Sequence, residues 1–119
     1  MTPQPLTIVK SSSNYTINKG FAFRLGRLVV FSIEMISSSQ ISAGQGLFRF
    51  DYDTNRSIVP TGDTTGVGTL TWAMGLIYGT TQSITTTVQS GGHTYIASGT
   101  TIPASTTIRT YGTFVCNPI

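Results

Sequence analysis

Few side chains in this sequence could perform acid–base or nucleophilic chemistry. The chain of 119 residues holds one histidine (His93), one cysteine (Cys116), one glutamate (Glu34) and three aspartates. A glycosidase would need Glu34 to meet an aspartate across the fold. No nucleophile elbow, zinc-protease helix or phosphate-binding loop is present, and no local partner makes His93 a base for a serine. The inventory predicts a protein that is not an enzyme, has no catalytic residues and uses no cofactor.

One short motif resembles the start of a calcium loop. Asp51, Asp53 and Asn55 have the alternate spacing of oxygen ligands in such a loop. The sixth position, where glycine is required, is Arg56, and the twelfth, where a bidentate glutamate belongs, is Gly62. A lone histidine and a lone cysteine cannot build a zinc site. We therefore predict no metal site, and an Asx-type turn at a strand end.

Saccharide binding fits the available side chains better than catalysis does. Such a site needs an aromatic ring for the sugar face and short polar groups for the hydroxyls. The aromatic candidates are Trp72, Tyr78, Tyr95 and Tyr52, and the polar candidates are Asp51, Asp53, Asn55, Arg56 and His93. The alternative for Trp72 is a place in the hydrophobic core, because Leu70 and Met74 share its face in an extended strand. His93 follows two glycines, and it is either a ligand contact or a bystander at a turn.

Composition predicts an all-β protein. Thr, Val, Ile, Tyr and Phe favour strands, Gly, Ser and Asn favour turns, and good helix formers are scarce. The seven basic residues are scattered along the chain and charged residues make up only 9% of it, so no basic stripe for nucleic acid is present. No apolar run is long enough to insert into a membrane. No signal-peptide pattern opens the chain, which predicts synthesis in a host cytoplasm without export by that route.

The segment from Arg24 to Ile36 has a short polar start and a glycine, and the run that follows them predicts one long strand. Val29, Phe31, Ile33 and Met35 form a fully apolar face. The opposite face, which begins at Leu28 and ends at Ile36, changes from apolar to polar. We therefore expect a strand packed along one whole face and covered on the other only near its start. Gly26 is expected to form a bulge or tight bend before this strand.

About eight to ten short strands separated by turn signals predict one domain over residues 1–119, an antiparallel β-sandwich or jelly roll. Residues 1–5 are expected to be a loose lead-in, because Pro3 and Pro5 oppose regular structure. Asn18-Lys19-Gly20 predicts a turn, and Asp51 to Gly68 is expected to form one or two loops. Thr106 to Cys116 predicts the closing strand, with the free Cys116 buried.

Several stretches together resemble the C-terminal domains of phage tail, baseplate and fibre proteins. They are Tyr15-Thr-Ile, then Phe23-Arg-Leu-Gly-Arg-Leu-Val-Val-Phe-Ser-Ile, then Ile41-Ser-Ala-Gly-Gln-Gly-Leu-Phe. Gly92-His-Thr-Tyr-Ile-Ala97 and the run from Ile102 to Phe114 resemble the closing strands of such domains. The similarity covers residues 14–50 and 92–115, and residues 51–80 depart from it. Lactococcal-type receptor-binding heads are the closest analogy.

The resemblance implies a trimeric β-sandwich head in a virion tail or baseplate. It would bind host cell-wall or surface saccharide, mediate adsorption, and contact other virion tail or baseplate proteins. By this analogy the binding residues would be Trp72, His93, Asp51, Asp53, Arg56 and Tyr95. Two alternatives stay open: a purely structural trimeric component without a ligand, and a polysaccharide-degrading enzyme. Scarce surface charge and a small core also favour a homotrimer.

Overall fold

The chain folds into two antiparallel β-sheets packed face to face, which confirms the predicted all-β sandwich. The computed structural model describes residues 2–61, 70–77, 80–88 and 93–119; for residues 70–77, 80–88 and 94 it describes the backbone. No helix occurs within these ranges. The predicted platform Tyr78 and the two glycines before His93 lie outside the described residues.

Ten strands follow one another along the described chain. They are β1 (Gln4–Pro5), β2 (Thr7–Lys10), β3 (Tyr15–Leu25), β4 (Leu28–Ser37), β5 (Gly46–Asp53), β6 (Arg56–Ser57), β7 (Leu70–Ile77), β8 (Thr80–Val88), β9 (Thr94–Ser98) and β10 (Thr107–Val115). The order across the sheets is β1-β3-β4-β10-β7-β8-β9-β5-β2, with β6 paired to β5. One layer therefore contains β3, β4 and β10, the other contains β2, β5 and β9, and β7 and β8 continue the ladder between them.

The N-terminal segment pairs with both layers. Gln4 and Pro5 lie opposite Arg24 and Phe23 of β3, whereas β2 pairs with β5. Between these two pairings, the Leu6 amide donates a hydrogen bond to the Ala22 carbonyl. The expectation of a loose lead-in is therefore wrong for residues 4–5. Proline is compatible with an edge strand, because one backbone N–H of such a strand needs no partner in the sheet. The short N-terminal segment pairs with the edge strand of each layer and so covers both edges.

The long strand predicted after Gly26 is β4, and its apolar face is the core of one layer. Val29, Phe31, Ile33 and Met35 are all buried. Gly26 and Arg27 form the two-residue turn that joins β3 to β4, and Gly26 adopts a φ of 60°. Glycine is favoured at the first position of such a hairpin turn, because a positive φ costs it nothing. The predicted bend at Gly26 is confirmed.

Aromatic rings join the two layers. The Phe31 ring of β4 lies 5.2 Å from that of Phe50 and 6.3 Å from that of Phe48, both on β5. Phe114 of β10 lies 6.2 Å from Phe31 in an edge-to-face arrangement. Such ring pairs stabilise a core beyond the area that they bury. Cys116 is also fully buried, as predicted.

Two predicted irregular segments are more regular than expected. Asn18 does not end a strand; it is the additional residue of a bulge within β3, since Ile17 pairs with Met35 and Lys19 with Glu34. A bulge absorbs a poor strand residue without breaking the ladder. Residues 51–57, predicted as loop, form the end of β5, a tight turn and β6. The remainder of that predicted loop, from residue 62 onward, lies outside the described residues.

Candidate functional site

Strand β5 places an arginine and an aspartate together on the outer face of its layer. Arg49 and Asp51 are two positions apart, so they point to the same side. Arg49 Nε lies 3.0 Å from Asp51 Oδ1, and its terminal nitrogen lies 3.1 Å from Oδ2. Arg49 is only 9% exposed and Asp51 only 6%. The hydrogen bond to Asp51 raises the pKa of Arg49 despite its burial. The geometry is that of a bidentate ion pair.

Tyr95 of β9 extends the pair on one side. Arg49 donates a third hydrogen bond, to the Tyr95 hydroxyl at 2.9 Å. The guanidinium carbon also lies 5.6 Å from the centroid of the Tyr95 ring, within range of a cation–π contact. Tyr95 is 9% exposed. It was predicted as a site residue and does join the site, but its role is to support Arg49, because a buried ring cannot serve as an open platform for a sugar.

Ser57 extends the pair on the other side and connects it to His93. The register of the β5–β6 hairpin sets Ser57 directly opposite Asp51. The Ser57 Oγ atom lies 2.9 Å from Asp51 Oδ1 and 2.8 Å from His93 Nδ1. An ionised carboxylate can only accept, so the single hydroxyl proton of Ser57 is donated to Asp51. His93 must then donate its Nδ1 proton to Ser57, which leaves Nε2 as the ring atom available to a ligand.

This proton order differs from that of a hydrolytic triad. In a triad the carboxylate holds the histidine, and the histidine takes the proton of the serine. Here Ser57 stands between Asp51 and His93, and its proton is directed to the carboxylate. The arrangement therefore orients His93 but does not activate Ser57.

The turn between β5 and β6 carries two more predicted residues. Asp53 and Arg56 are exposed on either side of it and lie opposite each other. The Asp53 carboxylate accepts the Thr54 amide proton at 2.8 Å, and Asn55 adopts a φ of 55°. Asparagine tolerates this left-handed conformation better than most residues. This hydrogen bond joins adjacent residues, whereas an Asx turn uses the amide two residues on, so this contact does not form the predicted Asx-type turn. The described residues contain no cluster of three potential metal ligands.

A groove of about 370 Å³ lies beside this turn. Its lining residues are Pro5, Thr7, Asp51, Tyr52, Asp53 and Thr54. Two aspartates, two threonines and the half-buried Tyr52 therefore surround one small concavity. Arg49 and Ser57 occupy three acceptor positions of the Asp51 carboxylate, so within the described residues one position on Oδ2 remains open.

Trp72 is the one predicted site residue that lies away from the others. It belongs to β7, which is separated from β5 by β8 and β9. The ladder with β8 shifts between Thr71 and Ala73, so Trp72 is the additional residue of a bulge. A bulge interrupts the strict alternation on which its predicted face depended. Its side chain lies outside the description.

Arg49 and Ser57 were not identified from the sequence. The Arg49-x-Asp51 spacing on a strand was the available signal, since a same-face pair of opposite charges is visible in the sequence. Ser57 gave no signal, because only the hairpin register brings it to Asp51. Glu34, by contrast, lies on β4 in the other layer and binds Arg109 at 2.9 Å, so it does not meet Asp51 or Asp53.

No helix in the described ranges has the length and apolar character that a membrane-spanning helix requires.

Comparisons with known proteins supply no relative for this arrangement. No family model matches the chain, and neither the curated proteins nor the solved structures contain a match.

Proposed function

We propose that this chain is a receptor-binding module of a phage virion, which recognises host cell-surface saccharide and mediates adsorption as a homotrimer. The observation that carries the proposal is the groove beside Asp51, with its two carboxylates, its hydroxyl groups and Tyr52. Sugar hydroxyls need planar acceptors and short donors at fixed positions, together with an apolar or aromatic wall. The groove combines these groups in a volume suited to one sugar unit.

Preorganisation strengthens the case for binding. Arg49 holds the Asp51 carboxylate through two hydrogen bonds, and Ser57 and Asp51 orient His93. A site whose polar groups are already ordered loses less entropy when a ligand binds. The proton order of Ser57 also favours binding over hydrolysis. The phage context, the trimer and the contacts with other tail or baseplate proteins rest on the family resemblance of residues 14–50 and 92–115.

A saccharide array and adsorption to host cells test this proposal. We expect weak binding by the isolated chain, in the high micromolar range or above, and firm adsorption by multivalent particles, because linked sites raise avidity without new contacts. Asp53→Asn and His93→Ala should each reduce adsorption with the fold intact. Gln40→Ala, an exposed position between β4 and β5 and outside both the groove and the strands of the opposite layer, is the control and should adsorb normally. Normal adsorption by both site variants would refute this location of the site.

The second candidate is a structural trimeric component without a ligand. It is favoured by an exposed apolar surface on the layer opposite the groove. The same adsorption assay separates the two candidates. Failure of wild-type particles to bind any host polysaccharide would favour the structural role.

A further inference from the structure

Exposed apolar side chains are concentrated on one surface of the described chain. Six large hydrophobic residues are exposed, and five of them lie on the outer face of β3, β4 and β10. Their positions are Phe21, Leu28, Ile36, Tyr111 and Val115, and the sixth, Ile119, lies at the chain end. Such clustering differs from the scattered exposed hydrophobics of ordinary surfaces.

Strand register makes these residues neighbours. Leu28 lies opposite Val115, and Phe21 and Tyr111 flank Ser32 on either side of β4. The half-buried Phe23 and Val30 fill the row between them. We call the surface formed by Phe21, Phe23, Leu28, Val30, Tyr111 and Val115 the apolar face. It corresponds to the start of β4, where the sequence predicts cover, but Leu28 is 41% exposed and the described chain does not cover it.

The size of the apolar face matches that of an interaction site. Its four most exposed side chains present roughly 350 Å² together, taking about 200 Å² for a whole aromatic side chain and about 150 Å² for an aliphatic one. Patches of about 300–600 Å² on a monomer often mark interaction sites. This area is smaller than the area of about 800 Å² that one partner contributes to a stable interface, so the exposed Thr113 and other residues flanking the face would also have to be buried.

The charges beside the apolar face are already paired within the chain. Glu34 lies between Lys19 and Arg109 in the row next to Phe21 and Tyr111. Its carboxylate lies 2.9 Å from Arg109 Nε and 3.8 Å from Lys19 Nζ. The apolar face itself contributes few polar groups, chiefly the Ser32 and Tyr111 hydroxyls. The apolar face therefore complements another surface that is apolar and carries no unpaired charge. The same face on a second copy of the chain is such a surface.

We propose that copies of this chain associate through the apolar face. The groove beside Asp51 lies on the other layer, so association through β3, β4 and β10 leaves that groove open. The interface does not depend on saccharide binding, and a chain without any ligand would still form it. Such contact would bury the exposed hydrophobic side chains that the described part of β3, β4 and β10 presents.

Light scattering after size-exclusion chromatography tests the interface on the full chain. We expect a wild-type mass that is a multiple of 12.7 kDa at micromolar concentration. Val115→Lys should raise the dissociation constant at least about 30-fold, because it places a charge on an apolar side chain that the interface would bury. Ile119→Lys, equally exposed but outside the apolar face, is the matched control and should leave the mass unchanged.

Two further measurements distinguish a lost interface from an unfolded chain. Thr113 lies opposite Val30 and is already exposed in the single chain, so Thr113→Lys should dissociate the assembly without affecting the fold, even if Val115→Lys unfolds. Assembly should persist in about 1 M sodium chloride, where exposed ion pairs are screened. A monomeric wild type, or an assembly that withstands Thr113→Lys, would overturn the proposal. If saccharide binding is absent while the mass is unchanged, the proposed receptor-binding function is contradicted and the interface is not.

Discussion

The guanidinium of Arg49 and the carboxylate of Asp51 share two hydrogen bonds across one face of β5, with both side chains almost fully removed from water. Such a pair need not stabilise the fold relative to apolar residues, because its desolvation cost is large. Breaking it, however, leaves one buried charge without a partner. This asymmetry makes the pair a sensitive point of the structure.

Asp51→Asn should therefore destabilise the protein strongly. We expect a loss of about 3–5 kcal/mol in the free energy of unfolding, because the Arg49 charge stays buried without its carboxylate. Urea unfolding monitored by circular dichroism measures this loss. Arg109→Ala breaks an exposed pair with Glu34 and should cost less than about 1 kcal/mol. Equal effects of the two substitutions would contradict the burial of the Arg49–Asp51 pair.

The tautomer of His93 is a second prediction. Because Ser57 donates its proton to Asp51, the neutral His93 ring should carry its proton on Nδ1. Long-range ¹H–¹⁵N correlation spectra distinguish the two tautomers at a pH where the ring is neutral. Ser57→Ala removes the acceptor and should shift the ring towards the Nε2-protonated form. A wild-type ring protonated on Nε2 would disprove the hydrogen-bond order.

Phe31→Ala should create a cavity between the two layers. The ring contacts Phe48, Phe50 and Phe114 and is 1% exposed, so its removal should cost about 3–5 kcal/mol. Thermal or urea unfolding gives the value. Phe21→Ala, in which the lost ring is 52% exposed, is the control and should have a small effect on the unfolding of the dissociated chain. An unchanged melting temperature for Phe31→Ala would mean that this face of β4 is not buried.

Alkaline stability should depend on Tyr15. Burial raises the pKa of its hydroxyl above the ordinary value, although the hydrogen bond from Ser11 acts in the opposite direction. Above about pH 10 the unfolded chain releases this proton while the native chain keeps it. Stability should therefore fall as the pH rises from there towards the native pKa. Tyr15→Phe should reduce this slope, measured by urea unfolding at several alkaline pH values; an unaltered slope would contradict it.

Cys116 should be unreactive in the native protein. Desolvation raises the pKa of its thiol, and the side chain is fully buried, so both thiolate content and access are low. A thiol reagent should label it at the rate of unfolding, and denaturant should accelerate labelling greatly. Thr113→Cys, which places a thiol on an exposed position of β10, should react rapidly in the dissociated chain and serves as the control. Fast labelling of native Cys116 would show that the C-terminal segment opens.

Features that arise from local periodicity could be predicted from the amino-acid sequence alone. Alternation along β4 identified its buried face, because successive side chains on a strand point to opposite sides. Gly26 identified the turn, because few other residues accept its φ. The scarcity of helix formers and the frequency of turn residues then led to the all-β fold. These conclusions need only the neighbours of each residue in the chain.

Contacts between residues far apart in the sequence depend on the tertiary structure. The hairpin register sets Ser57 opposite Asp51, and the order of strands brings Tyr95 and His93 to the same pair while leaving Trp72 on another strand. Bulges at Asn18 and Trp72 interrupted alternations that the sequence pattern assumed to be continuous. Pairings between residues far apart in sequence depend on the whole sheet, so no local pattern contains them. For the same reason, only the packed structure shows that Asp51 is buried and Leu28 is exposed.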